Sequence, residues 1–83
     1  MNKVLVKVYV PMLEEIYDVW IPVHKKIYNI IFLLVKAISE LNDNGYKPNK
    51  MPILYDKLTG EGYDVNLRVK DSTIRSGTEV ILL

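Results

Sequence analysis

The sequence predicts an α+β fold in which one long helix packs on one face of a mixed sheet of four to five strands. Two observations lead to this prediction. Apolar and polar residues alternate near both ends of the chain, and in between the apolar residues recur every three to four positions. A chain of 83 residues can bury one core, so we expect residues 1–83 to form a single domain.

The first two strands are predicted to form an N-terminal hairpin. Residues 4–10 place valine at every second position, so one face of this strand is apolar. A second alternating run, residues 16–21, is closed by Pro22, which has no N–H group to give to a sheet. In this run the residues expected to face the core are Tyr17, Val19 and Ile21. Their neighbours then face outward, which places Trp20 on a surface.

A helix is predicted after the hairpin, from about Lys25. Its start lacks a Ser, Thr, Asp or Asn cap, whereas the Asn-Asp-Asn-Gly sequence at 42–45 favours a left-handed stop. The apolar positions with helical spacing are Ile27, Ile30, Ile31, Leu34, Ile38 and Leu41. A flanking group is interpreted as the edge of the core rather than as a binding surface, and its members are Tyr28, Phe32 and Val35.

Short strands are predicted in the last third of the chain. A loop at 45–52 leads into a strand at 53–55, a short edge strand is expected at 63–67, and the apolar run at 78–83 suits a central strand. The Gly-Glu-Gly sequence at 60–62 lacks the strand-turn-helix context of a phosphate-binding loop and is interpreted as a turn. A hairpin, one helix and further strands follow one another in the order of the β-grasp fold.

The end of the chain resembles the closing stretch of ubiquitin-like domains. Residues 67–82, LRVKDSTIRSGTEVIL, contain an apolar residue, an Asp, an Ile and a last strand in the order of that pattern. A closer similarity is to the small ubiquitin-like proteins of Gram-positive type VII secretion systems, the YukD/EsaB family. The closing run of that family is matched by Ile74, Gly77 and Val80. The YDVWIP sequence at 17–22 and the apolar helix also resemble the front half of these proteins.

The resemblance implies a cytoplasmic bacterial protein without a catalytic centre, acting as an accessory or scaffold component of a type VII-like secretion machine. The partners that it implies are the secretion ATPase or a membrane component of that machine. The alternative is a self-associating β-grasp adaptor unrelated to secretion, which would form a homo-oligomer. The chain ends in Val-Ile-Leu-Leu at 80–83 instead of the diglycine tail of conjugating ubiquitins and sulfur carriers, so we expect neither conjugation nor sulfur transfer.

Composition argues against catalysis, metal binding and cofactor binding. There is no cysteine, and the single histidine, His24, has no second strong metal ligand to join it. Lys25 and Lys26 are interpreted as a solvated charged edge rather than as an anion site. We therefore expect no enzyme activity, no metal and no cofactor.

Charge and hydropathy also argue against nucleic-acid binding and against insertion into a membrane. The net charge of +1 provides no long-range field, and the six tyrosines and one tryptophan lack the basic groove of single-strand binders. The most apolar stretch, residues 27–38, is shorter than the about 20 residues of a membrane-spanning helix. The N-terminus also lacks the features of an export signal. We expect neither nucleic-acid binding nor direct membrane insertion.

Apolar content beyond the needs of one core points to a protein-binding surface. In a β-grasp sheet the last strand lies between the first and the third, so alternation places apolar residues on the face that the helix cannot cover. An exposed apolar face with aromatic residues commonly marks a partner site. The alternative is that these residues are strand formers scattered over the surface. The residues predicted for the binding face are Leu5, Tyr9, Trp20, Leu54, Ile81 and Leu83.

Overall fold

The computed structural model describes residues 2–83 and confirms the predicted hairpin. Strand β1, Lys3–Val10, pairs antiparallel with strand β2, Glu15–Pro22. The alternation is also as predicted, because Val19 and Ile21 are buried while Trp20 between them is exposed. The buried residues of β1 are Val6, Val8 and Val10.

Helix α1 spans Ile27–Leu41 and covers one face of the sheet. The predicted apolar face is confirmed by its buried residues, which are Ile27, Ile30, Ile31, Leu34 and Ile38. Leu41 is an exception, since it lies exposed at the last position of the helix. The stop is confirmed as well: the N–H of Asn42 donates to the Ile38 carbonyl at 3.0 Å, and Gly45 adopts a left-handed φ of 77°.

The sheet has four strands in the order β2-β1-β4-β3. Strand β3 is Leu54–Asp56 and strand β4 is Glu79–Leu82, with a short 3₁₀ helix, Val69–Asp71, in the connection between them. Strand β4 pairs parallel with β1 and antiparallel with β3. The last strand is therefore central, as predicted, and the sheet is mixed.

The edge strand predicted at 63–67 does not form, because the backbone of this segment is used by the helix. The N–H of Ile27 donates to the Leu67 carbonyl at 2.9 Å, and the N–H of Tyr28 donates to the Val65 carbonyl at 3.0 Å. These are two of the N–H groups that the first turn of a helix leaves without an internal partner. The loop thus replaces the side-chain cap that the sequence lacks.

One hydrophobic cluster fills the space between helix and sheet, and loops complete it. Tyr46, in the loop after α1, and Ile74, before β4, are both buried in this cluster. Neither residue stands in a periodic apolar pattern. They close the part of the core that strands of three and four residues leave open.

Leu54 was predicted for the outward face, and the structure contradicts this. Its side chain is 1% exposed and belongs to the core. The cause is the register of β3, which pairs Leu54 with the buried Leu82 and pairs Tyr55 with Ile81. Tyr55 therefore takes the outward position. A strand of three residues is too short for its alternation to reveal which face is buried.

Candidate protein-binding face

The outward face of the sheet, on the side opposite α1, carries side chains in rows that cross the strands. Residues paired across strands point to the same side, so the register fixes the order within each row. We name three rows by their content: the apolar row, the charged row and the tryptophan row. Each row contains one residue of β1 and the residues of β2 or β4 that pair with it, and the first two rows extend to residues of β3 or just after it.

The apolar row crosses all four strands. Tyr9 of β1 pairs with Ile16 of β2 on one side and with Ile81 of β4 on the other. Ile81 pairs in turn with Tyr55 of β3. Ile16, at the edge, is exposed, whereas the three other side chains are partly buried. Neighbouring strands lie about 4.8 Å apart, so the row is about 14 Å long, the length of two to three turns of a helix lying along it.

The charged row runs beside the apolar row. Lys7 pairs with Asp18 and with Glu79 in the register of the sheet. Its Nζ lies 3.2 Å from Asp18 Oδ1, and Lys57 Nζ lies 3.9 Å from Glu79 Oε2. All four side chains are about half exposed. Exposed ion pairs stabilise a fold by at most about 1 kcal/mol. Their larger effect is to orient a partner and to select among partners.

The tryptophan row contains Trp20 of β2 and Leu5 of β1, which pair directly. Trp20 is 53% exposed. The turn before β4 is fixed beside this row, because the N–H of Gly77 donates to the Leu5 carbonyl at 2.7 Å. Tryptophan is among the residues most often found as a binding anchor, and here about half of its surface is open to a partner.

The structure brings together four of the six residues predicted for the binding face, namely Leu5, Tyr9, Trp20 and Ile81. Leu83 is exposed as well, but it lies beyond β4, where its backbone exchanges two hydrogen bonds with Ile53. Leu54 lies in the core instead. Ile16 and Tyr55 complete the apolar row. The alternation in β2 predicts that Ile16 faces outward, whereas the outward position of Tyr55 follows only from the register of β3.

A separate apolar groove of about 440 Å³ lies at the end of the sheet. It runs between the hairpin turn, the loop after α1 and the end of β4. Its apolar lining includes Met12, Pro48, Met51, Ile53, Leu82 and Leu83. Among the described residues that line it, Lys50 has the only charged side chain. The groove and the outward face meet near Leu83.

Comparison with known proteins identifies the fold. No protein-family model and no curated protein matches the chain. Among solved structures, the ubiquitin-like domain of EccD5 from Mycobacterium xenopi has a TM-score of 0.80 at 18% identity, with 100% of this chain and 94% of that chain covered. The ubiquitin-like domain of the Mycobacterium tuberculosis type VII secretion system protein EccD1 has a TM-score of 0.74 at 12% identity, covering 100% and 99%. The chain has the ubiquitin-like β-grasp fold.

The ubiquitin-like fold is not tied to one function. A chain of the toluene 4-monooxygenase HD complex with the inhibitor 4-bromobenzoate has a TM-score of 0.79 at 5% identity, covering 96% of this chain and 95% of that one. Identities this low show a shared fold alone. The function must therefore be argued from the surface of this particular ubiquitin-like domain.

The helix of this ubiquitin-like domain presents a second aromatic surface. Tyr28 and Phe32 are exposed, and their rings meet edge to face with centroids 5.1 Å apart. The interpretation of this flank as core edge is wrong for these two residues and is confirmed for Val35, which packs against the core. Helical spacing places all three on one flank, but only the tertiary structure shows how far the core extends along it.

Chemistry at the remaining polar residues is limited in the part of the chain that the structure describes. Within residues 2–83, no group of three His, Asp or Glu side chains is placed to hold a metal ion, and no helix has the length and apolar character to cross a membrane. His24, Lys25 and Lys26 are exposed. The N–H groups beside them are occupied by the carbonyls of Val65 and Leu67, so the start of the helix offers little to an anion.

Tyr63 is a partly buried residue, and its hydroxyl oxygen is a buried polar atom without a role in the fold. Among residues 2–83 this hydroxyl has no hydrogen-bond partner. Burial raises the pKa of Tyr63, and the negative charge of Asp56 raises it further. Both effects keep the hydroxyl protonated at neutral pH. A hydroxyl in that state is a poor general base.

Proposed function

We propose that the chain is a non-catalytic protein-binding module that docks its partner on the outward face of the sheet. The apolar row of Ile16, Tyr9, Ile81 and Tyr55 is the observation that carries this proposal. It forms a continuous band across the outward face of the sheet, and Trp20 lies on the same face of β2 beyond the charged row. Burying such a band against a partner removes apolar area from water, and a tryptophan on the same face supplies a second contact as an anchor.

The partner surface has a definite chemistry. An apolar ridge, such as one side of a helix, fits along the apolar row. Beside that ridge the partner carries acidic groups opposite Lys7 and Lys57 and basic groups opposite Asp18 and Glu79. The half-exposed side chains of the charged row can then form further ion pairs with the partner. A purely apolar ridge would leave these charges desolvated and is disfavoured.

We further propose that this partner is the secretion ATPase or a membrane component of a type VII-like secretion machine, for which the chain is a cytoplasmic accessory or scaffold. Two observations support this. The sequence resembles the small ubiquitin-like proteins of such systems, and two ubiquitin-like domains of type VII proteins match the chain over its whole length. A self-associating adaptor unrelated to secretion is the second candidate, and an apolar groove on the same molecule favours it.

Binding measured by calorimetry against the purified cytoplasmic domain of the secretion ATPase from the same organism tests the proposal. Ile81→Glu places a charge at the centre of the apolar row, and Trp20→Ser removes the anchor. We expect each variant to remain folded and to bind at least about tenfold more weakly. Phe32→Ser is the matched control, because it removes an exposed aromatic from the opposite side of the molecule.

Two results would count against the proposal in different ways. If Phe32→Ser weakens binding and Ile81→Glu does not, the partner binds the helix and not the outward face of the sheet. If the ATPase and membrane domains do not bind at all, while another protein binds in a way that Ile81→Glu abolishes, the face is correct and the link to secretion is wrong. Circular dichroism of each variant establishes that it is folded.

A further inference from the structure

Leu58 protrudes from the molecule on a rigid turn. It is 93% exposed, the highest value of any large apolar residue in the described chain. Its N–H donates to Asp56 Oδ1 at 2.8 Å, and the N–H of Gly60 donates to the Asp56 carbonyl at 2.8 Å. Gly60 takes a left-handed φ of 77°, which closes the turn. Because the turn is already ordered, a contact made by Leu58 costs little conformational entropy.

The apolar groove is a suitable receptor for such a side chain. Its volume of about 440 Å³ exceeds what one leucine side chain fills and leaves room for neighbouring turn residues. Pockets of roughly 300–1,000 Å³ are typical of sites for small apolar ligands. Met51 and Ile53, two of its lining residues, are themselves about half exposed and would be covered by an occupant.

A molecule cannot fill its groove with its own Leu58. Ile53 lines the groove just before β3, and Leu58 follows β3 at the other end. The three strand residues between them span about 10 Å, which is beyond the reach of a leucine side chain. An occupant of this kind must come from another molecule.

Charge also matches the two features to each other. The turn carries Asp56 and Glu61, and Glu79 lies beside it, against the single positive charge of Lys57. The groove is lined by Lys50, and Lys47 stands in the same loop. The acidic turn that presents Leu58 on one molecule is therefore complementary in charge to the basic loop beside the apolar groove of another. Opposite potentials of this kind steer two surfaces together and fix their orientation.

We propose that Leu58 of one molecule inserts into the groove of a second copy of this chain, so that the copies associate head to tail. The contact joins two different surfaces, so it is heterologous and repeats into a ring or a linear chain of molecules. One leucine and its turn bury a small area, which gives a weak association. The contact uses neither the apolar row nor Trp20 and therefore adds a second binding mode to the proposed function.

Sedimentation velocity over a concentration series that reaches the millimolar range tests this association. We expect the mean mass of the wild type to rise beyond that of a dimer. Leu58→Ser removes the inserted side chain, and Met51→Glu places a charge in the groove. Each is expected to weaken association about 10- to 100-fold, the effect of losing one buried leucine. Leu41→Ser, an exposed leucine at the end of α1, is the matched control and should associate like the wild type.

Mixing the two variants gives the most specific test. Leu58→Ser keeps an intact groove, and Met51→Glu keeps an intact Leu58, so the mixture can form one productive contact. We expect a one-to-one heterodimer that grows no further. A symmetric dimer that uses this contact twice would also be rescued by mixing, and it is excluded by a wild-type mass that rises beyond that of a dimer.

Three results would overturn the inference: a wild type that remains monomeric in the millimolar range, a mixture that forms no heterodimer, or a Leu41→Ser variant that loses association to the same degree. Ile81→Glu separates the two proposals. It should leave head-to-tail association unchanged while weakening binding of the secretion ATPase domain. Failure of one proposal therefore leaves the other to be judged on its own measurement.

Discussion

Leu54 and Ile53 are neighbours in sequence that face opposite sides of the sheet, and truncating each to alanine measures the register of β3. Leu54 is 1% exposed within the core cluster, whereas Ile53 is 49% exposed. Both substitutions remove a few methyl and methylene groups from adjacent positions. Any large difference in their cost must therefore come from burial.

The expected magnitude follows from the burial of each side chain. Truncation of a fully buried leucine costs about 2–5 kcal/mol, so we expect about 3 kcal/mol for Leu54→Ala. A chain of 83 residues has a free energy of unfolding of roughly 4–12 kcal/mol, so this loss is a large part of the total. It corresponds to a fall in Tm of about 12–24 °C. Ile53→Ala should cost less than about 1 kcal/mol.

Urea unfolding followed by far-ultraviolet circular dichroism, and separately by the fluorescence of Trp20, gives both values. Equal m-values for the two variants would show that they unfold from equally compact states. If Ile53→Ala costs as much as Leu54→Ala or more, the register of β3 is shifted by one residue. Tyr55 would then leave the apolar row, and the proposed binding face would no longer include a residue of β3 at that position.

Two further predictions concern the loops. Burial raises the pKa of Tyr46, whereas in the unfolded chain its hydroxyl ionises near pH 10. The protonated hydroxyl is favoured in the folded state, so its contribution to stability is fully present below about pH 10 and is lost as the pH rises through the folded-state pKa. The free energy of unfolding, measured at increasing alkaline pH, should therefore fall less steeply for Tyr46→Phe than for the wild type. Gly60→Ala should cost about 1–2 kcal/mol by denaturant unfolding, because φ is 77° there while no atom lies within 4 Å of the added Cβ. An unchanged unfolding midpoint would mean that the turn presenting Leu58 can relax.

The long elements and their buried faces could be predicted from the sequence, while the buried face of β3 and the conformation of residues 63–67 could not. The hairpin and the helix extend over 8, 8 and 15 residues, so their periodic patterns repeat often enough to identify both the element and its buried face. In contrast, β3 has three residues, and its alternation was assigned to the wrong face at Leu54. The segment at 63–67 alternates like a strand, yet its carbonyls serve the start of the helix.

The sequence by itself determined the α+β class, the order of the elements, the central place of the last strand and the outward direction of Trp20. Each of these depends on local periodicity or on chain order. Only the tertiary structure decided that Tyr55 replaces Leu54 on the outward face of the sheet, that Tyr46 closes the core, and that Leu58 and the groove lie at opposite ends of β3. The physical reason is that these facts depend on strand register and loop packing, which are set by contacts between residues distant in sequence.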